Sequence, residues 1–493
     1  MKLTLIVIFF CTTLCGYAQP FRPDLHLKRD RYTNLLIFDG VRSDGIQPLL
    51  DSAPFRHLKF WAENWNKSGQ WVSWDVIADK KEKYLVNVIC NPNLSDVICT
   101  VRTGNQIISN RIVRMDSSEF VRVELDNSLW LQPGVNKLIL KFAPVKANDE
   151  FNISVHAIEL IRPEIKKKYN QLVAGIRKKS DTRWFRDCRY GIFVTWTSQV
   201  YPRYGERKDY ETAVNEFDVD GFVKQIVRTR AGLVVFNTSH AEMYFPAPIK
   251  SLDSILPGRT AKRDLIAELG KALAAHGIRL FLYYHLGCVA DPEWTRVSGF
   301  WDTDEKPFFN RWNAVITEIG KRYGKTVSGY WFDDGAMNCY YRSPDWLTMY
   351  SSAKAGNPER LIGYNPWKLP PPTLFMDYYL GETNLDPSMH GELEKKGNGI
   401  IQKGPFTGLQ ASSTFVTESE DWGHFKKDSE IESFRYSPQN LAEMLLHFEA
   451  YGNVPLFNLE IYQGGLMAEN SIRVFEAANE INHPIHTNKM ADR

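Results

Sequence analysis

The run from Ser328 to Gly335, Ser-Gly-Tyr-Trp-Phe-Asp-Asp-Gly, is the segment best equipped for chemistry. Two aromatic residues lead directly into the carboxylates of Asp333 and Asp334, and a glycine then turns the chain. An apolar strand that ends in acids delivers them to its own carboxyl end, where parallel-barrel enzymes hold their catalytic groups. Carboxylates are seldom buried unless they are paired or functional, so a surface turn or a structural cap is the alternative.

Composition narrows the classes of partner. A chain of 493 residues has room for roughly two domains. The 60 Lys and Arg residues nearly balance the 58 Asp and Glu residues, so no basic field points to nucleic acid or to an anionic membrane. The 14 Trp and 22 Tyr residues are a mild indication of sugar binding, because flat rings pack on the apolar faces of pyranoses, but aromatic residues also fill cores.

The N-terminus has the pattern of a secretory signal peptide. Lys2 precedes an apolar run over residues 3–14, which is too short to span a bilayer, and Ala18 stands at a cleavage-type position. We therefore expect residues 1–18 to be removed and the mature protein to be exported, either to the periplasm or into the medium. No membrane span is expected, and the sequence gives no oligomeric state.

Residues 19–165 carry the alternating, turn-rich pattern of an all-β jelly-roll sandwich. The run Leu131 to Leu140, after the strand that contains Trp71 and Trp74, resembles the carbohydrate-binding modules of families 6 and 35. That resemblance implies sugar binding, and a purely structural sandwich is the alternative. We expect the tryptophans of this sandwich to serve its core more than a sugar site: Trp61, Trp65, Trp71 and Trp74. Trp71 and Trp74 lie on one twisted strand, so we expect one to face the core and the other the surface.

Residues 166–493 predict an α/β fold, a (β/α)8 TIM-like barrel that follows a charged link at Pro163 to Lys168. Helical patterns alternate with eight strand-like runs: Tyr190 to Trp196, Leu233 to Thr238, Ile278 to His285, Gly329 to Gly335, Leu361 to Pro366, Thr373 to Tyr379, Gly408 to Phe415 and Pro455 to Tyr462. The link from Trp367 to Pro372 is too short for a helix, so the barrel should be irregular there.

The carboxyl ends of barrel strands hold the chemistry in this fold. No helical His-x-x-x-His pair or zinc-type cysteine spacing occurs, so we expect no metal and no cofactor. Hydrolysis of a glycosidic bond is the reaction that best matches the residues at these ends. It needs two carboxyl groups: one attacks or activates water, and the other protonates the leaving oxygen. The candidates are Thr195, Trp196, His240, His285, Asp333, Asp334, Asn365, Asp377, Glu382, Glu418, Glu420, Asn458 and Glu460.

Several motifs then follow one another in the order of a known family. They are Arg189 to Trp196, Phe217 to Lys224, Lys262 to Leu265, His276 to Tyr284 and Trp331 to Gly335. In these motifs the chain is similar to glycoside hydrolase family 29, the retaining α-L-fucosidases, over about residues 184–467. The resemblance implies a retaining exo-glycosidase that removes a terminal α-L-fucoside or a related sugar by double displacement.

The resemblance also implies roles for single residues. Asp333 matches the nucleophile, His240 a sugar-binding histidine, and Asn458 an asparagine near the last strand. Glu382 is our first choice for the acid/base, with Glu418 and Glu420 as alternatives. We further expect three residues to contact the substrate: Trp196, His285 and Trp331.

Some positions depart from the family pattern. Thr195 replaces a sugar-binding histidine, Ser239 a second histidine, and Pro366 stands where an arginine is common. A sugar hydroxyl loses charge-assisted partners in this way, which changes specificity. The resemblance therefore implies the reaction more directly than the sugar, and a catalytically silent carbohydrate-binding protein on a hydrolase barrel is the alternative function.

Overall fold

The structure is a computed structural model of the chain. It describes residues 25–48, 61–116, 119–288, 290–302, 304–333, 343–367, 369–382, 385–418 and 421–482. The expected signal peptide, Asp334 and Glu420 lie outside these residues. The chain divides into two compact units between Pro163 and Glu164, except that residues 119–122 group with the second unit.

The N-terminal unit is a β-sandwich of two mainly antiparallel sheets. One sheet has the order Leu25–His26, Trp71–Ala78, Gly134–Pro144, Val97–Thr103 and Gln106–Ile112, with Val41–Arg42 beside the second of these. The other has the order Val121–Glu124, Glu82–Pro92, Ile153–Ile161, Ala62–Trp65 and Gln47–Pro48, with Leu129–Leu131 and Thr33–Leu36 on its flanks.

Tryptophans fill the core of this sandwich. Trp61, Trp65 and Trp74 are buried, which confirms their predicted core role, and Trp71 is half-buried. Trp65, on one sheet, meets Phe142 of the other edge to face, with ring centroids 5.0 Å apart. Three of the four rings are therefore buried and present no face to a sugar.

The second unit is a TIM-like barrel built on eight parallel strands. In chain order the strands are Gly191–Val194, Leu233–Asn237, Arg279–His285, Val327–Asp333, Leu361–Tyr364, Gly381–Glu382, Ser412–Val416 and Val454–Leu459, called here barrel strands one to eight. Their order in the sheet is five, four, three, two, one, eight, seven, six. The predicted fold class is confirmed. The sixth strand was placed wrongly, because it forms at Gly381–Glu382 and not at Thr373 to Tyr379.

Helices cover the outside of this sheet. They span Pro163–Lys179, Arg183–Asp187, Tyr210–Asn215, Val219–Thr229, Lys250–Ile255, Leu265–Ala274, Pro292–Ser298, Lys306–Tyr323, Trp346–Ala353, Pro438–Tyr451 and Glu469–Asn482. Asp264 and Ser437 cap two of them by accepting main-chain N–H bonds at 3.0 and 3.2 Å. The boundary between the two units falls within the charged link predicted at Pro163 to Lys168. This link is helical, because Pro163 begins a helix, a position that proline favours.

Asp377 joins strand five to the segment before strand six. Among the described residues these two strands do not pair directly. The main-chain N–H of Asp377 donates to the Ile362 carbonyl at 2.7 Å, and its buried carboxylate accepts from the Ile362 N–H at 2.9 Å. Tyr350 donates to the same carboxylate at 2.9 Å, and the Lys354 ammonium lies 2.8 Å from it. This buried acid therefore closes the irregular side of the barrel.

We expect Asp377→Ala to lower the free energy of unfolding by about 3 kcal/mol or more, because it leaves a nearly buried ammonium and a main-chain N–H without their partner. Urea unfolding measures this change. Asp181→Ala, which removes a half-exposed carboxylate paired with Arg183, is the control and should cost no more than about 1 kcal/mol. Equal losses in the two variants would contradict the closing role of Asp377.

Candidate active site

Alternation along the strands sets which side chains face the inside of the barrel. Trp331 and Leu380 belong to one buried cluster inside it. Because side chains on a strand alternate between its faces, the residues two positions further on, Asp333 and Glu382, face the same way. Asn365, directly after strand five, comes between them in the order of the strands. Three polar side chains therefore meet at one end of the barrel.

One amide joins the two carboxylates. Asn365 Nδ2 donates to Asp333 Oδ1 at 2.8 Å and to Glu382 Oε2 at 2.6 Å. Since both bonds share one nitrogen, the two oxygens are at most about 5.4 Å apart, the sum of the two lengths. The Tyr283 hydroxyl donates to Oδ2 of Asp333. Retaining glycosidases hold their two carboxyl groups roughly 5–5.5 Å apart, so this spacing is compatible with that chemistry.

A small, partly open cavity lies beside these carboxylates, with about 270 Å³ of space that includes solvent at its mouth. Polar and aromatic side chains line it, as they do in many sites for small ligands. No lysine or arginine is among its lining residues, all of which are in the described part of the chain. These residues are Phe193, Thr195, Asn237, His240, Tyr283, Trp331, Asp333, Glu382 and Trp422.

Aromatic rings form one wall of the cavity. Tyr283 stacks on Trp331 with ring centroids 5.2 Å apart and planes inclined by 21°. Phe193 meets Trp331 edge to face at 5.4 Å and lies 5.8 Å from Trp422. This packing fixes the Tyr283 ring whose hydroxyl bonds Asp333, and it gives the cavity a flat apolar side that suits the face of a pyranose.

The comparison with protein families agrees with this arrangement. The profile described as Alpha-L-fucosidase matches residues 202–477, more than half of the chain. The chain belongs to the α-L-fucosidase family. It is therefore a member of glycoside hydrolase family 29, a family with carbohydrate substrates.

Solved α-L-fucosidase structures are similar to the chain at low sequence identity. The unliganded α-L-fucosidase AlfC from Lactobacillus casei is 17% identical, with 61% of this chain and 96% of that chain covered and a TM-score of 0.44. An α-L-fucosidase GH29 from Bacteroides thetaiotaomicron is also 17% identical, with 61% and 72% covered and a TM-score of 0.45. No curated protein sequence matches the chain.

Four of the residues expected to form a family 29 site lie together in the cavity wall: Asp333, Glu382, His240 and Trp331. His285 is not among the lining residues, although it pairs in register with Asp333. Its Nδ1 accepts the main-chain N–H groups of Gly287 and Cys288 at 3.3 and 2.8 Å. The ring of His285 thus shapes the loop after strand three.

Asn458 and Trp196 also lie outside the cavity lining. Asn458 Nδ2 donates to the Trp422 carbonyl at 2.9 Å, and its Oδ1 accepts from the Thr195 hydroxyl at 3.3 Å, so it positions two lining residues. Trp196 is the neighbour of Thr195 and points to the opposite face of the strand, where its Nε1 donates to the Gln463 carbonyl at 2.9 Å. Their substrate contacts remain predictions, and these positions do not support them.

Glu418, the alternative acid/base, is likewise not a lining residue. Its carboxyl group accepts from the Ser471 hydroxyl and from the Glu460 main-chain N–H. Burial raises the pKa of Glu418 to about 8. Of the described acid/base candidates, Glu382 is the one that lies beside Asp333.

The raised pKa of Glu418 predicts a pH-dependent stability. As pH rises from about 5 to about 8, the unfolded chain loses this proton while the folded chain keeps it, so the wild-type protein should become less stable. Glu418→Gln stays neutral throughout. We expect the variant to match the wild type near pH 5 and to exceed it by a few kcal/mol near pH 8. Urea unfolding at several pH values checks this, and a constant difference between the two proteins would contradict it.

Two further features of the chain bear on partners. Within the described residues no group of three or more His, Cys, Asp or Glu side chains is arranged to hold a metal ion. The described helices include none that is long and apolar enough to cross a membrane.

The sequence reasoning missed several residues of the cavity region: Phe193, Tyr283 and Trp422 of its lining, and two amides. Asn365 stood among the strand-end candidates without a role, although an amide between two acid-bearing strands is well placed to bridge them. Asn237 was not selected at all. Its position as the last residue of strand two, after a buried apolar run, was the available indication.

Proposed function

We propose that the protein is an exported retaining exo-glycosidase that removes a terminal α-L-fucoside or a related sugar from a glycan or polysaccharide. Membership of the α-L-fucosidase family supports the reaction class and the sugar. The observation that carries the mechanism is the shared amide of Asn365, which holds the carboxylates of Asp333 and Glu382 within about 5.4 Å of each other. The aromatic and polar lining of the cavity supports binding of a sugar ring there.

The proposed reaction has two steps. An oxygen of Asp333 attacks the anomeric carbon while Glu382 gives its proton to the glycosidic oxygen, so the bond to the leaving group breaks and a glycosyl ester forms. Water then attacks the same carbon, its proton returns to Glu382, and the bond to Asp333 breaks. Asn365 and Tyr283 hold the Asp333 carboxylate in place during both steps.

Export is proposed from the signal-like residues 1–18. Cell fractionation followed by N-terminal sequencing tests it. A mature protein that begins near residue 19 outside the cytoplasm is expected. An intact Met1 on cytoplasmic protein would contradict export.

A catalytically silent sugar-binding protein is the competing function. It is favoured by Thr195, a lining residue that stands where the family pattern has a sugar-binding histidine. Proton NMR of product formation from aryl glycosides and glycans separates the two functions. We expect the α-anomer of the released sugar to appear first, because double displacement retains configuration. Binding of sugars without any turnover would favour the silent protein, and a first-formed β-anomer would contradict retention.

A further inference from the structure

Asn237 holds an amide that the described protein does not satisfy. It is the last residue of strand two, it is 1% exposed, and it lines the cavity beside Asp333 and Glu382. Neither its Oδ1 nor its Nδ2 has a hydrogen-bond partner in the described part of the chain, and both atoms are shielded from bulk solvent. The Nε1–H of Trp331, in the same wall, is in the same condition.

Such groups are rare in folded proteins. The large majority of buried polar side-chain atoms have partners, because a buried amide without one bears its full desolvation cost. Both polar ends of one amide are affected here, beside a second unsatisfied donor in the same cavity. A ligand whose polar atoms reach these groups would supply the missing partners.

Two other neutral groups in the wall have already used their protons. The Thr195 hydroxyl donates to Asn458 Oδ1, and the Tyr283 hydroxyl donates to Asp333. Asn237 can therefore offer two N–H donors and an acceptor, and Trp331 can offer a single donor. An acceptor and a donor on one planar amide match two neighbouring hydroxyls, because each hydroxyl both donates and accepts.

The charges of the cavity bear on the class of sugar. Two carboxylates line it, and none of its described lining residues is a lysine or arginine. A carboxylate or sulfate group on the bound ring would meet like charges, and no lysine or arginine among the described lining residues would offset them. A neutral ring meets no such repulsion.

We propose that Asn237 is a specificity-determining residue of this cavity and binds two neighbouring hydroxyls of one neutral sugar ring, while Trp331 donates to a further ring oxygen. The proposal rests on the proposed function in one respect, namely that the ring bound here is the one whose anomeric carbon faces Asp333. It assigns sugar recognition to a neutral amide at a site where the family pattern uses charged partners.

Calorimetric binding of free sugars to the full chain tests the proposal without requiring turnover. The probes are L-fucose, D-galactose, L-rhamnose, D-xylose and D-galacturonate, together with each monodeoxy form of the neutral sugar that binds best. We expect Asn237→Ala to weaken binding of that sugar by about 10- to 100-fold. For a monodeoxy form that lacks a hydroxyl bound by Asn237, the substitution should weaken binding much less than it does for the parent sugar.

The melting temperature distinguishes a sugar-binding role of Asn237 from a structural role. Asn237→Ala and the similarly shaped Asn237→Leu should keep or raise the melting temperature, because they remove an unsatisfied amide. Asn479→Ala is the matched control, since its buried amide donates to Tyr190, Thr229 and Phe475 at 2.8, 3.0 and 2.8 Å. That control should lower the melting temperature and leave the ratio of sugar affinities unchanged.

Four results would overturn the proposal. The first is that each Asn237 substitution weakens binding of the parent sugar and of every monodeoxy sugar by the same factor. The others are preferred binding of galacturonate, binding of none of the neutral sugars, and turnover that the Asn237 substitutions leave unchanged. The proposed function fails separately. If the protein binds neutral sugars through Asn237 but turns none over, this inference stands and the proposed hydrolase function fails. If it turns substrate over and the Asn237 substitutions leave turnover unchanged, the hydrolase function stands and this inference fails.

Discussion

Asp333→Asn abolishes turnover and leaves the protein folded: this is the largest effect that we expect from a single substitution. The attacking oxygen must carry negative charge to form the glycosyl ester, and an amide oxygen carries none. Asparagine has the same shape, so its carbonyl can still accept from Asn365, and its N–H₂ group can face the Tyr283 hydroxyl, which rotates to become the acceptor. The loss in kcat/KM should be at least about 10³-fold.

The measurement is kcat/KM on an aryl α-L-fucoside, or on the best substrate of an aryl glycoside panel, together with the melting temperature. Asp345→Asn is the matched control, because Asp345 is an exposed helix cap and asparagine caps equally well. Tyr283→Phe should lie between the two, since it removes one bond that positions Asp333 and keeps the charge. Turnover by Asp333→Asn within about tenfold of the wild type would exclude Asp333 as nucleophile.

The position of Asp333 could be predicted because several local rules agree there. An apolar run, a pair of acids and a glycine define both a strand and its end. The start of the helix Pro438–Tyr451 can be read from the sequence in the same way, because a capping serine and a proline mark it. Signals of this kind involve residues that are adjacent in sequence.

The position of strand six could not be predicted in the same way. The run from Thr373 to Tyr379 is apolar and largely buried, but within it Asp377 bonds Ile362 through both its main chain and its side chain. The short paired strand then forms at Gly381–Glu382. Apolar patterning detects burial, and it does not show which buried segment pairs with a neighbour.

The direction of side chains along the strands was a second limit. Strands of a parallel barrel are buried on both faces, so their sequences carry no polar alternation to show which residues face inward. Thr195 and Trp196 are adjacent and both buried, yet Thr195 lines the cavity while Trp196 packs against Phe217 and Phe236 on the other side. The bridge made by Asn365 was hidden for a related reason, because it depends on three strands being neighbours in space.

Glu382→Ala should show the second large effect, and its size should depend on the leaving group. A poor leaving group needs a proton as its bond breaks, so we expect about 10²- to 10⁴-fold slower reaction with a natural glycan. An activated aryl group such as dinitrophenolate leaves without a proton, so formation of the glycosyl ester should be much less affected. Water attack on that ester lacks its base in the variant, so the ester should accumulate and give a burst of the released aryl group.

Loss of the carboxylate also removes one of the bonds of Asn365, which could disturb Asp333. Glu382→Gln separates the two causes, because its amide oxygen can still accept from Asn365 while the group cannot act as an acid. We expect the glutamine and alanine variants to lose similar activity on poor leaving groups. A glutamine variant close to wild type would assign Glu382 to positioning alone.

Adding azide to Glu382→Ala tests whether Glu382 is the acid/base. Azide needs no general base, so it should attack the anomeric carbon of the accumulated ester, break the bond to Asp333 and restore release of the aryl group. Because this attack comes from the face that the leaving group occupied, the glycosyl azide should keep the configuration of the substrate. An inverted azide would mean that the nucleophile had been removed, which would exchange the roles of Glu382 and Asp333. Full activity of Glu382→Ala on a natural glycan would instead exclude Glu382 as the acid/base.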